Sequence, residues 1–151
     1  MRSALRVSVF AALLPLVATQ VRAQQPALAW GPAPAVFPAG TKIAVLQGDP
    51  GKPGTFTVRL DFPDGTRLAP HFHPTEEAVT VISGTFLFGM GDSIDTAHLT
   101  AMPVGGFGVI PAEMHHYAIA RGHTIVQVSA MGPFALTYVH ASDNPANAAT
   151  R

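Results

Sequence analysis

Gly65-Thr66-Arg67-Leu68-Ala69-Pro70-His71-Phe72-His73-Pro74-Thr75-Glu76-Glu77 is the stretch on which the reading of this 151-residue chain turns. Residues two apart on an extended strand share a face, so the imidazoles of His71 and His73 reach one point on the same side. Pro70 and Pro74 bracket the pair and stiffen the backbone around it. Glu77 follows four residues after His73, and a turn at Pro74-Thr75 folds its carboxylate back toward the two rings. Taken alone, a His-x-His also describes two polar residues on a half-exposed strand. The added carboxylate, and a further His at a compatible place, move the reading to a metal site. The pair His115-His116 is the natural source of that fourth ligand. On a strand the two point oppositely, so only one can join. His116 shares its face with Ala118 and Ala120, which leave room around an ion; His115 shares its face with Tyr117 and Ile119.

Outward from this stretch the pattern is one of short strands. Thr55 to Phe62 is the clearest, with Phe56, Val58, Leu60 and Phe62 on one face and Thr57, Arg59 and Asp61 on the other. Asp64-Gly65 supplies a turn. Further strands are predicted over residues 43–47, 76–83, 85–90, 107–110, 116–121, 124–131 and 134–140, separated by Gly or Pro signals. The one helical stretch expected is a turn or so near Asp95 to Leu99. Fourteen Gly and fourteen Pro suit many strands joined by turns. The class is therefore all-β, a sandwich or barrel. Phe86, Phe88, Met90 and Phe107 are expected in the core. Tyr117, Arg59 and Gln127 are candidates for lining a pocket, while His98, His123 and His140 have no evident partners and are expected on the surface.

Both ends differ from the centre. Arg2 and Arg6 precede an apolar run from Val7 to Val17, and Val21-Arg22-Ala23 offers a cleavage site, so residues 1–23 are expected to be an export signal. The run falls short of the ~20 apolar residues of a transmembrane span, and no stable membrane anchor is expected. Residues 24–40 form a Pro/Ala-rich arm whose Trp30 and Phe37 suggest packing onto the domain or onto a neighbouring subunit. Residues 41–140 are the domain proper, and 141–151 are expected to be a flexible tail. Loss of residues 1–23 removes three of nine basic residues and leaves six against nine acidic, a net −3 with His neutral. No basic cluster remains, which argues against nucleic acid as a partner. The chain contains no cysteine, so metal ligands must be His and carboxylates.

Two stretches carry a family resemblance. Gly65, five residues, His71-Phe72-His73, three residues, Glu77, six residues and Gly84 match the first cupin motif at each defining position. Gly105, five residues, Pro111 and then His116 resemble the second motif. The likeness spans about Gly65 to Ala120, and the strand pattern extends it over most of the chain. It implies a double-stranded β-helix, or jelly-roll barrel, in which His71, His73, Glu77 and His116 converge on one divalent transition metal inside the barrel. That donor set suits iron, manganese, nickel, cobalt, copper or zinc. The sequence departs from the second motif twice. Glu113 stands where a glycine commonly serves a tight turn, so either Glu113 takes an unusual turn geometry or the turn itself differs. Ala120 replaces an Asn that is not a ligand.

The cupin barrel hosts many functions, so the resemblance does not name a reaction. The intact ligand set favours an exported metalloenzyme, periplasmic or secreted, acting on a small organic molecule as a dioxygenase or isomerase. Glu77 or His115 would move protons. The alternative is a cupin that binds or senses a small ligand without turnover. Single-domain cupins often pair, so a homodimer is a further expectation.

Overall fold

The computed structural model describes residues 27–148; the expected export signal at 1–23 lies outside them. Nine strands form one curled antiparallel sheet: β1 (Gly31–Pro32), β2 (Lys42–Gln47), β3 (Gly54–Phe62), β4 (Arg67–Phe72), β5 (Glu77–Met90), β6 (Thr100–Met102), β7 (Phe107–Ile110), β8 (His116–Gly132) and β9 (Thr137–Tyr138). Short 3-10 turns occupy Thr96–His98 and Ala141–Asp143, and one turn of helix, α1, spans Pro145–Ala148. Among the described residues no helix is long and apolar enough to cross a membrane.

Two long strands make the barrel. The C-terminal half of β8 pairs with β3, from Thr124 opposite Phe62 to Gly132 opposite Gly54. Its N-terminal half pairs with β4, with His116 opposite His71. Strand β5 runs beside β8 along both halves, from Glu77 opposite Ala130 to Met90 opposite His116. Each long strand therefore crosses from one wall to the other, which is how a jelly roll closes without a free central edge. The sequence suggests a break in each of these strands, at Gly84 and at Gly122-His123. Both are bends within continuous strands instead. The β5–β8 register shifts around Ser83 and Thr85, and Gly84 has φ +75°. A Cβ on Gly84 would lie 2.4 Å from Thr124 Oγ1 and 2.5 Å from the His123 carbonyl oxygen, so glycine is needed there for space as well as for φ.

The alternation in β3 turns Phe56, Val58, Leu60 and Phe62 inward, where they meet Val79, Val81, Val126 and Val128. Phe62 stacks on Phe86 with centroids 5.9 Å apart. Each buried aromatic or aliphatic side chain contributes about 1.5–3 kcal/mol of hydrophobic stabilisation. Phe86 is buried as expected, but Phe107 and Met90 are not core residues: they are 65 % and 49 % exposed. Phe107 pairs with Thr80, and both side chains stand on the outer surface of the wall. The period-2 pattern identifies two faces but does not say which is inside when a strand is only four residues long.

Residues 134–140 were expected as one strand, yet only Thr137 and Tyr138 pair, with Phe72 and His71. The Phe134 N–H donates instead to the Pro50 carbonyl at 2.8 Å, outside the ladder, and both residues line the cavity within the barrel. The N-terminal arm borders the same cavity. Gly31 and Pro32 pair with Ile43 and Lys42, and the Tyr138 hydroxyl donates to the Val36 carbonyl at 2.9 Å. Residues 31–37 thus pack on the chain's own barrel.

Candidate metal centre

The side chains singled out from the sequence come from three different elements. His71 lies in β4, His73 just past its end, Glu77 opens β5 and His116 opens β8. All four are 3–7 % exposed. The His71 and His116 ring centroids are 4.2 Å apart, because the two residues are cross-strand partners. His73 lies 5.0 Å from His71 and 5.2 Å from His116. One ring nitrogen from each lies within 4.8 Å of the others, so the three residues form a group able to hold a metal ion. Glu77 Oε2 stands 3.5 Å from both His73 Nε2 and His116 Nε2.

The second nitrogen of each ring decides which atom is free. Nδ1 of His71 is 2.7 Å from the Ala69 carbonyl oxygen, that of His73 2.8 Å from Ala135, and that of His116 2.9 Å from Met114. A carbonyl oxygen only accepts, so each Nδ1 carries the proton and donates it. In the neutral ring the lone pair is then left on Nε2. A metal-binding imidazole is oriented in this way by a backbone carbonyl behind it. His73 Nε2 is buried with no hydrogen-bond partner among the described residues, an arrangement that is costly unless an ion or ligand meets the lone pair. The residues present therefore fit a divalent cation.

Electrostatics agree with the geometry. Burial pushes His71 well below the ordinary histidine value, and the neighbouring His116 and His73 push it further. His73 is also lowered, again by burial first, although Glu77 opposes the shift. Two of the three rings are thereby held in the neutral form that a metal requires. Aromatic neighbours fix ring orientation: Phe134 stacks on His73 at 4.3 Å and Phe88 on His116 at 5.5 Å.

The turn leading to His116 supports two of these imidazoles. Glu113 has φ +61°, the one non-glycine among the described residues with a positive φ. Its N–H donates to the His73 carbonyl at 2.8 Å. The next residue, Met114, supplies the carbonyl that receives His116 Nδ1–H.

The four side chains border a cavity of about 370 Å³ that runs into the barrel core. His115 does not line it. That ring lies on the other side of β8, stacked on Phe72 at 5.0 Å, with Nδ1 2.6 Å from Asp92 Oδ1. Tyr117, Arg59 and Gln127 do not line it either. The Tyr117 hydroxyl meets the backbone of Asp95, and Arg59 Nε donates to Gln127 Oε1 across the outer face. What the sequence did not single out is the part of the cavity wall formed by Val36, Phe134 and Leu136. Phe37, noted in the arm as a residue with something to pack against, joins them there.

No family model matches the chain, and no curated protein matches it. Solved structures do. The polyketide cyclase RemF from Streptomyces resistomycificus superposes with a TM-score of 0.66 at 16 % identity, over 88 % of this chain and 94 % of that one. A candidate acetylacetone dioxygenase from Methylibium petroleiphilum PM1 gives 0.60 at 21 %, over 86 % and 90 %. An RmlC-like cupin from Shewanella frigidimarina gives 0.52 at 18 %, over 62 % and 78 %. With strand order, barrel closure and these neighbours in agreement, the fold of this chain is that of the cupin superfamily.

Proposed function

We propose that the protein is an exported metalloenzyme that acts on a small organic molecule, with one divalent first-row transition metal held by His71, His73, Glu77 and His116. The observation that carries this reading is the set of three buried imidazoles whose Nδ1 atoms face backbone carbonyls, with one ring nitrogen of each within 4.8 Å of the others and Glu77 Oε2 3.5 Å from the Nε2 atoms of His73 and His116. When bound, such an ion supplies Lewis acidity toward a carbonyl or hydroxyl oxygen, and a redox-active one also supports oxygen chemistry, which are the isomerase and dioxygenase classes. The chain's own groups have distinct parts. The imidazoles orient the centre, and burial favours the neutral form of His71 and His73. Glu77 offsets one positive charge, and as the one carboxylate lining the cavity it is the group placed to hold or move a proton there. The Phe134 and Phe88 rings shield the imidazoles from water.

RemF is described as a cyclase, and its extensive structural overlap supports a catalytic reading. Export rests on the residue pattern of 1–23, and a mature chain in the periplasm or medium would begin at Gln24. Intact-mass measurement of the secreted form tests this directly. A second reading, binding or sensing without turnover, is favoured by one observation: apart from the four cluster residues, no lining side chain can exchange a proton, and His115 faces away.

Elemental analysis of protein purified without added metal tests the centre. About one equivalent per chain is expected. Full occupancy in a His71→Ala/His116→Ala variant would overturn the assignment. Oxygen uptake and product analysis with a panel of diols and enediols then separate turnover from binding.

A further inference from the structure

The distribution of polarity around the cavity narrows what it can accept, an inference that rests on the metal-centre reading. Of the side chains lining the cavity, the polar ones are His71, His73, Glu77 and His116, all in the one cluster. Among the described residues no lysine, arginine, serine, threonine, asparagine, glutamine or tyrosine joins them. The remaining wall is hydrocarbon, and six phenylalanines contribute to it: Phe37, Phe56, Phe62, Phe86, Phe88 and Phe134. The volume, about 370 Å³, lies toward the small end of the roughly 300–1,000 Å³ range of ligand pockets.

A polar group moved from water to an apolar wall loses its hydrogen bonds without replacement, and a charged group loses far more. Among the side chains of this cavity, only those at the histidine–glutamate end can pair with the polar atoms of a ligand. Four protein ligands leave open positions on an ion that prefers six, so two neighbouring oxygen atoms of one molecule can be held there. We propose that the ligand is a small amphiphile with a single polar end: a chelating pair of oxygens at the metal, joined to an uncharged aromatic or aliphatic body that fills the phenylalanine-lined interior. Sugars, dicarboxylates and phosphorylated metabolites are outside this class, because each carries a second polar group with no partner in the wall. Phe134 has a place in both halves of the arrangement. It stacks on His73 at the polar end and meets Phe56 edge-on at 5.2 Å at the apolar side.

The test uses hydroxamates as probes, because their two oxygens chelate and the rest of the molecule can be varied while the head stays constant. The full-length mature protein is loaded with Co(II), whose visible absorption reports both metal binding and probe binding, and dissociation constants are measured for acetohydroxamate, benzohydroxamate and 4-carboxybenzohydroxamate. Burial of the phenyl ring should make benzohydroxamate bind at least about tenfold tighter than acetohydroxamate. The added carboxylate should weaken binding at least about 100-fold relative to benzohydroxamate. Equal affinities for the three, or tighter binding of the carboxylated probe, would overturn the ligand class while leaving the metal centre standing. Absence of a stoichiometric protein-bound Co(II) spectrum would instead remove the metal centre, and the ligand class with it.

Discussion

Histidine occurs in two settings in this molecule, and the same side chain does opposite things in them. In the barrel, His71, His73 and His116 are buried, and each ring gives its Nδ1 proton to a backbone carbonyl. On the surface, His98, His115 and His123 each pair with an aspartate: Asp95, Asp92 and Asp61. A carbonyl is uncharged, so it fixes the ring's tautomer and direction without strongly favouring the cation. Burial then holds His71 and His73 below the ordinary value. A carboxylate partner in water does the reverse, and Asp95 raises His98 through a hydrogen bond first and its charge second. The partner's charge and the depth of burial together decide whether a histidine offers a lone pair or a proton.

The largest effect that would break this contrast is on metal content. A His71→Ala/His116→Ala variant should retain less than about a tenth of the metal found in the wild-type protein by elemental analysis. The matching surface variant, His98→Ala/His123→Ala, should retain all of it. Equal losses in both would dissolve the distinction.

Stability against pH in the metal-free protein sharpens the same comparison. His71 and His73 have folded values below the ordinary histidine value of 6.5. Below that value the unfolded chain binds more protons than the folded one. Their stabilising contribution is therefore present above pH 6.5 and declines as the pH falls toward the folded values. His98, with a raised folded value, has the opposite sign: its contribution is present below pH 6.5 and is lost as the pH rises through the folded value. Its full exposure keeps that contribution small. Denaturant titrations of metal-free protein between about pH 7.5 and 5 should show falling stability, governed by the buried pair. A His71→Asn/His73→Asn variant should flatten the dependence.

A smaller effect is expected at the turn behind His73 and His116. A left-handed conformation costs a non-glycine residue about 1–2 kcal/mol, whereas glycine costs roughly 0.5–1 kcal/mol in lost chain entropy. Glu113→Gly should therefore stabilise the protein slightly, by about 0.5–1 kcal/mol, or a melting midpoint about 2–4 °C higher. Metal content should not change. Glu113→Val, β-branched at φ +61°, should lower the midpoint, and no change in either variant would count against strain at this turn.

The smallest effect concerns the surface pairs. His98→Gln and His123→Gln should leave the unfolding midpoint within measurement scatter and the metal content at the wild-type level. A marked loss of metal in either would mean that the exposed histidines take part in the centre after all.

Much of this contrast was legible in the residues. The spacing of His71, His73 and Glu77, and the placing of His116 after Pro111, identified the four side chains that the barrel brings together. At Glu113 the residues left two outcomes, an unusual backbone or a different turn, and its φ of +61° is the first of them. The surface histidines were less legible. Their aspartates lie 3, 23 and 62 residues away in the chain, and nothing in a local pattern marks the two distant pairs. Phe107 misled for a related reason: a large apolar residue in a four-residue strand is equally compatible with either face.

What the sequence by itself determined is the class of the fold and the grouping of His71, His73 and Glu77, which rest on short-range rules, while His116 came from the likeness to the second cupin motif. Alternation at period two specifies strands, and His-x-His with a following carboxylate specifies donors that can share one side. Only the tertiary structure decided that β5 and β8 run unbroken through their bends, that Ala69, Ala135 and Met114 stand behind the three rings, and that His115 turns away from the cavity. It also brought Phe37 and Phe134 to the wall of one cavity from nearly a hundred residues apart. These outcomes depend on contacts between segments distant in the chain, where closure of the barrel sets the register and the depth of burial, and no local residue pattern encodes either.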